Sequence, residues 1–172
     1  ANIRGKTISQ GGSTITQQLV KNTFLSPEQT LSRKIKEIII ALELEWNYPK
    51  DQILLWYLNQ IPYGSNAYGI EAAAQTYFAK SAKDLTIAES AMLASLPNAP
   101  TYYSPYGNHP EELFARQKYI LERMYALGYI SQEELAGALK ENFAIEKERA
   151  SSIRAPHFVM YIKEYLERTY GK

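Results

Sequence analysis

The chain contains no cysteine, two histidines and only two aspartates, Asp51 and Asp84. Without thiols, disulfides and thiolate metal sites are excluded, which permits the cell exterior without indicating it. His109 and His157 have no partners near them in sequence; His157 reads as a structural residue at a helix start, and no dedicated metal cluster is visible. A net charge of +1 lacks the basic excess of a general nucleic-acid surface. No apolar run approaches the roughly 18 residues of a membrane-spanning helix. Strand-like alternation is missing too, so the predicted class is all-α. Ala1 in place of an initiator methionine points to a cut or processed chain, and 172 residues suit one domain with a real core.

What the chain does have is concentrated near its start, in Gly11-Gly12-Ser13-Thr14-Ile15-Thr16-Gln17-Gln18-Leu19-Val20-Lys21-Asn22. The glycine pair lets the backbone turn and approach a ligand closely. Thr14 and Gln17 have the spacing of a capping box, which predicts a helix from Ile15. The free N–H groups of its first turn, with the helix dipole, favour an anion such as phosphate. Lys21 lies one turn beyond Gln17 and two beyond Thr14, on the same face. The same residues read equally as an ordinary capped helix after a flexible turn.

A second charged cluster follows in Arg33-Lys34-Ile35-Lys36-Glu37. Ser26, Pro27 and Gln29 predict the start of its helix, with Ser26 as N-cap and Pro27 at the first helical position. Arg33 and Lys34 precede Glu37 by one turn, so both can flank its carboxylate. Two flanking cations suit an electrostatic or orienting role better than that of a proton donor. Alone, the cluster also reads as a solvent-facing salt bridge worth roughly a few tenths of a kcal/mol. Ile35, Ile38, Ile39 and Leu42 form an apolar stripe expected to face the core. Yet residues 38–42 and 53–58 are apolar over more than one face, and Trp46 and Tyr48 between them suit a water–lipid boundary. A buried helical hairpin and a membrane-facing pair both remain open.

Farther on, Pro62-Tyr63-Gly64-Ser65-Asn66 marks a turn, followed by a helix from Gly69 to Lys80 in which Ala72, Ala73 and Ala74 allow close packing. Thr86 with Glu89, and Ser131 with Glu134, form capping boxes. Pro97 and Pro100 end the first of these helices. Asn108, Pro110 and Glu111 start a long helix that Gly128 closes. Tyr102, Tyr103 and Tyr106 sit in a loop, where they can stack on sugar or pack against the core.

Four stretches in order resemble signature motifs of the bacterial peptidoglycan glycosyltransferases (glycosyltransferase family 51 type, as in class A, bifunctional penicillin-binding proteins). Gly11 to Gln18 is similar to the family's glycine-glycine-serine-threonine motif, and Arg33 to Glu37 to its arginine-lysine-x-x-glutamate motif. Lys50 to Asn59 resembles the fourth motif, generally a structural helix, and Arg116 to Met124 the fifth. The resemblance implies an all-α, lysozyme-like fold and polymerisation of lipid II, a disaccharide-pentapeptide on undecaprenyl pyrophosphate. The 4-hydroxyl of a new lipid II attacks the anomeric carbon of the growing strand with inversion, forming a β-1,4 bond and releasing the lipid pyrophosphate. Carried over by position, Lys21 and Arg33 match pyrophosphate-contacting residues. Ser13, Thr14, Gln18 and Asn22 match polar residues of the donor cleft, and Lys34 joins this substrate-binding set. Glu37 matches the family's second essential glutamate, on the leaving-group side. Asn98 stands where some relatives carry a lysine that reaches the substrate; it keeps hydrogen-bonding capacity without the charge.

The resemblance further implies that no cofactor is required, with Mg or Mn assisting only by shielding the pyrophosphate. Implied partners are lipid II, the growing glycan strand, the membrane surface and other cell-wall synthesis proteins. The implied location is the extracytoplasmic face of the bacterial cytoplasmic membrane. One departure is serious: the family's first motif, a Glu-Asp pair followed by Phe, His and Gly, is absent. Its glutamate is the general base of the family's scheme, and chemistry of this type wants a base near the attacking hydroxyl. The expectation is therefore an N-terminally truncated domain in residues 1–150 that carries the donor half of the site. Residues 151–172 would form a helical linker towards a transpeptidase domain, since Ala155-Pro156-His157-Phe158-Val159 is similar to the family's connecting segment.

Two other classes compete. A lysozyme-like peptidoglycan hydrolase would cleave with two carboxylates, but Glu37 between cations is a poor general acid. An inactive helical scaffold remnant would account for the Ala/Tyr-rich stretch from Tyr68 to Tyr77, yet that pattern does not recur at a fixed period.

Overall fold

The computed structural model describes residues 13–24, 30–147 and 156–171. Among the described residues there are eight α-helices: α1 (Ile15–Phe24), α2 (Leu31–Asn47), α3 (Lys50–Gln60), α4 (Ile70–Phe78), α5 (Ile87–Ser95), α6 (Pro110–Ala126), α7 (Gln132–Lys140) and α8 (Pro156–Tyr170). The described residues contain no strand, only an isolated antiparallel bridge between Pro62 and Tyr68. The expected all-α class holds.

Most helix starts follow local chemistry. Thr14 Oγ1 accepts the Gln17 N–H at 3.2 Å and opens α1 where expected. Both expected capping boxes are complete, at Thr86/Glu89 and Ser131/Glu134. Three boundaries differ. The described part of α2 begins at Leu31, with Thr30 in extended geometry and its hydroxyl accepting the Arg33 N–H, so Thr30 is the N-cap. Ser26 and Pro27, the expected start, lie outside the described residues, as do Gly11 and Gly12. The residue capping α6 is His109 rather than Asn108, with Pro110 next. Finally, α4 stops at Phe78 because Ala79 turns left-handed. Lys80 then pairs with the buried Glu89 of α5 at 2.6 Å.

The core gathers Leu19 of α1, Ile53 and Tyr57 of α3, Ala73, Ala74, Tyr77 and Phe78 of α4, Met92 and Leu93 of α5, and Leu113 of α6. A smaller cluster joins Ala88, Ala91, Leu121, Ile130 and Ala138 between α5, α6 and α7. Of the three expected small packing residues, Ala73 and Ala74 are buried, while Ala72 is exposed. Gly69 stands at φ 84° before α4, and a Cβ there would lie 2.6 Å from the Asn59 carbonyl oxygen. That turn therefore needs glycine both for its backbone and for the close approach of α3.

The stripe on α2 reverses the expectation. Ile35, Ile38, Ile39 and Leu42 are exposed, and Leu31 and the 91 % exposed Trp46 extend the same line. What α2 buries instead is Ala41 and Glu37, the latter only 1 % exposed. The reason is placement: α1 and α3 pack on α2, and the Glu37–Ala41–Leu44 face meets them. The apolar stripe lies elsewhere on the helix. On α3, Leu54 and Leu55 are also exposed.

The tyrosine loop packs largely inward. Tyr103 and Tyr106 lie against the main core, and the Tyr106 hydroxyl donates to the Glu146 carbonyl at 2.9 Å. Tyr102 is exposed and stacks on His109, with ring centroids 4.5 Å apart.

Candidate active site

The first site element is the start of α1 against α2. Lys34 Nζ donates to Ser13 Oγ at 3.0 Å and forms an ion pair with Glu37. Arg33, expected to flank Glu37 as well, does not share that pairing. Its Nε is buried and has no hydrogen-bond partner among the described residues. An orphaned buried donor is unusual and asks for a reason. The other such atom, Arg116 Nε, belongs to a guanidinium 5.4 Å from the centre of the Tyr103 ring, an arrangement that cation–π attraction stabilises.

The second element is a cleft of about 250 Å³ lined by Gln18, Lys21, Asn22, Tyr57, Ile61, Pro62, Pro97, Asn98 and Pro100. It brings Gln18, Lys21 and Asn22 of α1 to Asn98, which is remote in sequence and lies in the short 3-10 turn Leu96–Asn98 after α5. Lys21 and Asn22 are exposed at its mouth.

Gln18 ties the two elements together. Its Nε2 donates to the Ser13 carbonyl at 3.2 Å, and its Oε1 accepts the Tyr57 hydroxyl at 3.2 Å. Burial raises the pKa of Tyr57, so its hydroxyl remains a donor at neutral pH. Ser13, Thr14, Gln18, Lys34 and Glu37 thus form one connected group, with Lys21, Asn22 and Asn98 on its adjoining cleft. Thr14 itself serves as the helix cap.

Sequence reasoning missed Tyr57, having read its helix as structural. The available signal was its place with Ile53 and Ile61 on one stripe, because a buried tyrosine needs a partner for its hydroxyl. It also missed the buried Thr16, whose hydroxyl donates to Glu45 Oε1 at 2.6 Å and fastens α1 to α2. Among the described residues no group of three His, Cys, Asp or Glu side chains could hold a metal.

The transglycosylase family model matches residues 1–125. The chain belongs to that family. Similar proteins include penicillin-binding protein 1A of Aquifex aeolicus, 45 % identical over 171 residues that make up 99 % of this chain and 23 % of the relative. Penicillin-binding protein 1F of Bacillus subtilis is 46 % identical over 153 residues, 89 % of this chain and 21 % of that protein. The crystal structure of penicillin-binding protein 1A from Haemophilus influenzae shares 30 % identity at a TM-score of 0.53, covering 92 % of this chain and 20 % of that one. The expectation of an all-α, lysozyme-like transglycosylase fold agrees with that likeness. The transglycosylase chain spans about a fifth of the length of these relatives.

Proposed function

We propose that this chain binds the polyprenyl-pyrophosphate donor of peptidoglycan polymerisation and carries the donor half of a lipid II glycosyltransferase. The observation that carries the reading is the cleft: Lys21, Asn22, Gln18 and Asn98 converge on it beside the Ser13–Lys34–Glu37 group. In inverting transfer from lipid pyrophosphate, negative charge grows on the leaving group. Preorganised cations and N–H or O–H donors at that position lower the barrier most. Lys21 at the cleft mouth supplies such a cation, and the amides of Gln18, Asn22 and Asn98 beside it supply N–H donors. Glu37 acts on the leaving-group side as a partner of Lys34. A divalent cation, if used, would arrive with the pyrophosphate. The hydrolase alternative is disfavoured by the family match and by the ion pair that engages Glu37.

A lipid-linked substrate supports a site at a membrane, and the family resemblance supports the extracytoplasmic face of the cytoplasmic membrane. Among the described residues no helix is long and apolar enough to cross a membrane. The exposed stripe of α2 and the exposed leucines of α3 support surface contact instead. Glycan strand and other cell-wall synthesis proteins complete the proposed partners. Undecaprenyl pyrophosphate in detergent tests the reading: it should bind saturably, and undecaprenol, which lacks the pyrophosphate, should bind far more weakly. Equal binding of the two would remove the pyrophosphate site.

A further inference from the structure

The buried carboxylate of the site is bonded to one of the site's own cations. The Lys34 side chain is 42 % exposed, whereas that of Glu37 is 2 % exposed. The ammonium can therefore be approached from solvent, while its counter-ion stays fixed beneath it. A phosphate oxygen reaching Lys34 would share one cation with a second anion a few ångströms away, and like charges so close repel.

A second buried pair in the molecule provides a contrast. Glu89 is also buried and also meets a half-exposed lysine, Lys80, but its Oε2 accepts the Thr86 N–H at 2.9 Å and caps α5. Its charge has a structural use. Among the described residues no backbone N–H donates to Glu37, and its described partner is Lys34. Among the described residues no cap or backbone contact accounts for that carboxylate.

We propose that Glu37 is a built-in competitor for the anion site. It occupies Lys34 in the empty site, weakens the hold on pyrophosphate, and through that repulsion promotes release of the pyrophosphate product. The inference rests on the donor-site reading above and deepens it. Glu37 acts through Lys34 and is in this respect a positioning residue. The expected signature is opposite to that of a substrate-binding residue: removing it tightens the product complex while lowering turnover.

Inorganic pyrophosphate is the probe, titrated calorimetrically into the 172-residue chain. Glu37→Gln should bind it about tenfold more tightly than wild type at about 0.15 M salt. Glu37→Asp, whose carboxylate is withdrawn by one methylene, should fall between the two and keeps the test open should the glutamine variant not fold. In a Lys34→Gln background the change to glutamine should bring no tightening, which separates competition for Lys34 from a general change of charge. Unchanged or weaker binding by a cooperatively folded Glu37→Gln overturns the inference. If wild-type binding is lost in Lys21→Ala but indifferent to Glu37, the donor site stands and the competitor role falls. Failure of every variant and the wild type to bind pyrophosphate overturns both.

Discussion

Single side chains divide by how far along the chain their partners lie. The Thr14 cap, the two capping boxes and the Lys34–Glu37 pair join residues within one helical turn, and their spacing is visible in the sequence. Tyr57 with Gln18 and Thr16 with Glu45 join residues 39 and 29 apart, so only the packed helices bring them together. Glu71 belongs to the same class. Its carboxylate accepts the Ala82 N–H at 2.8 Å and the Ser81 hydroxyl at 3.3 Å, pinning the segment after α4. The backbone bond foremost, then Gln75, lowers its pKa. A folded value below the unfolded one means stability present above the ordinary glutamate range, near about 4.3, and lost as pH falls through the folded value. Urea midpoints taken from neutral pH down to about 3 should therefore fall less steeply in Glu71→Gln than in wild type. Identical slopes would deny Glu71 this part in the acid lability.

At the scale of the element, α2 is the most instructive. Its apolar period was legible as an amphipathic helix, but periodicity identifies an apolar face without saying what covers it. In the fold, Glu37 and Ala41 are the buried side, and the stripe from Leu31 to Trp46 runs about 22 Å along the open side. Apolar side chains left in water forgo about 1.5–3 kcal/mol each of burial, and a lipid surface would recover part of that. The paired substitution Ile39→Glu and Leu42→Glu should leave thermal unfolding within about 2 °C, since both side chains are exposed. The same pair should cut flotation with anionic phospholipid vesicles about tenfold. Loss of folding would place these residues in a core; undiminished flotation would take the stripe out of membrane contact. Helix boundaries at α2 and α6 shifted for a different reason: several residues could cap, and Thr30 and His109 take those positions in the packed chain.

At the scale of the whole molecule, the fold's contribution is to bring the residues of the proposed site together from three places. The start of α1 supplies Ser13 and Gln18, and its last turn supplies Lys21 and Asn22. The first turns of α2 add Lys34 and Glu37. The 3-10 turn after α5 adds Asn98 on the far wall. The motif residues were legible individually. Their division into an ion-paired group and an open cleft joined through Gln18 was not, because it depends on the packing of α1 against both α2 and α3. Binding of a lipid II analogue to this chain in detergent, paired with Lys21→Ala, tests the assembled site most directly. The expected result is saturable binding by wild type that weakens at least about tenfold in the variant, the loss of a charge-assisted contact to phosphate. Equal affinity of the two folded proteins would contradict a pyrophosphate site at this cleft.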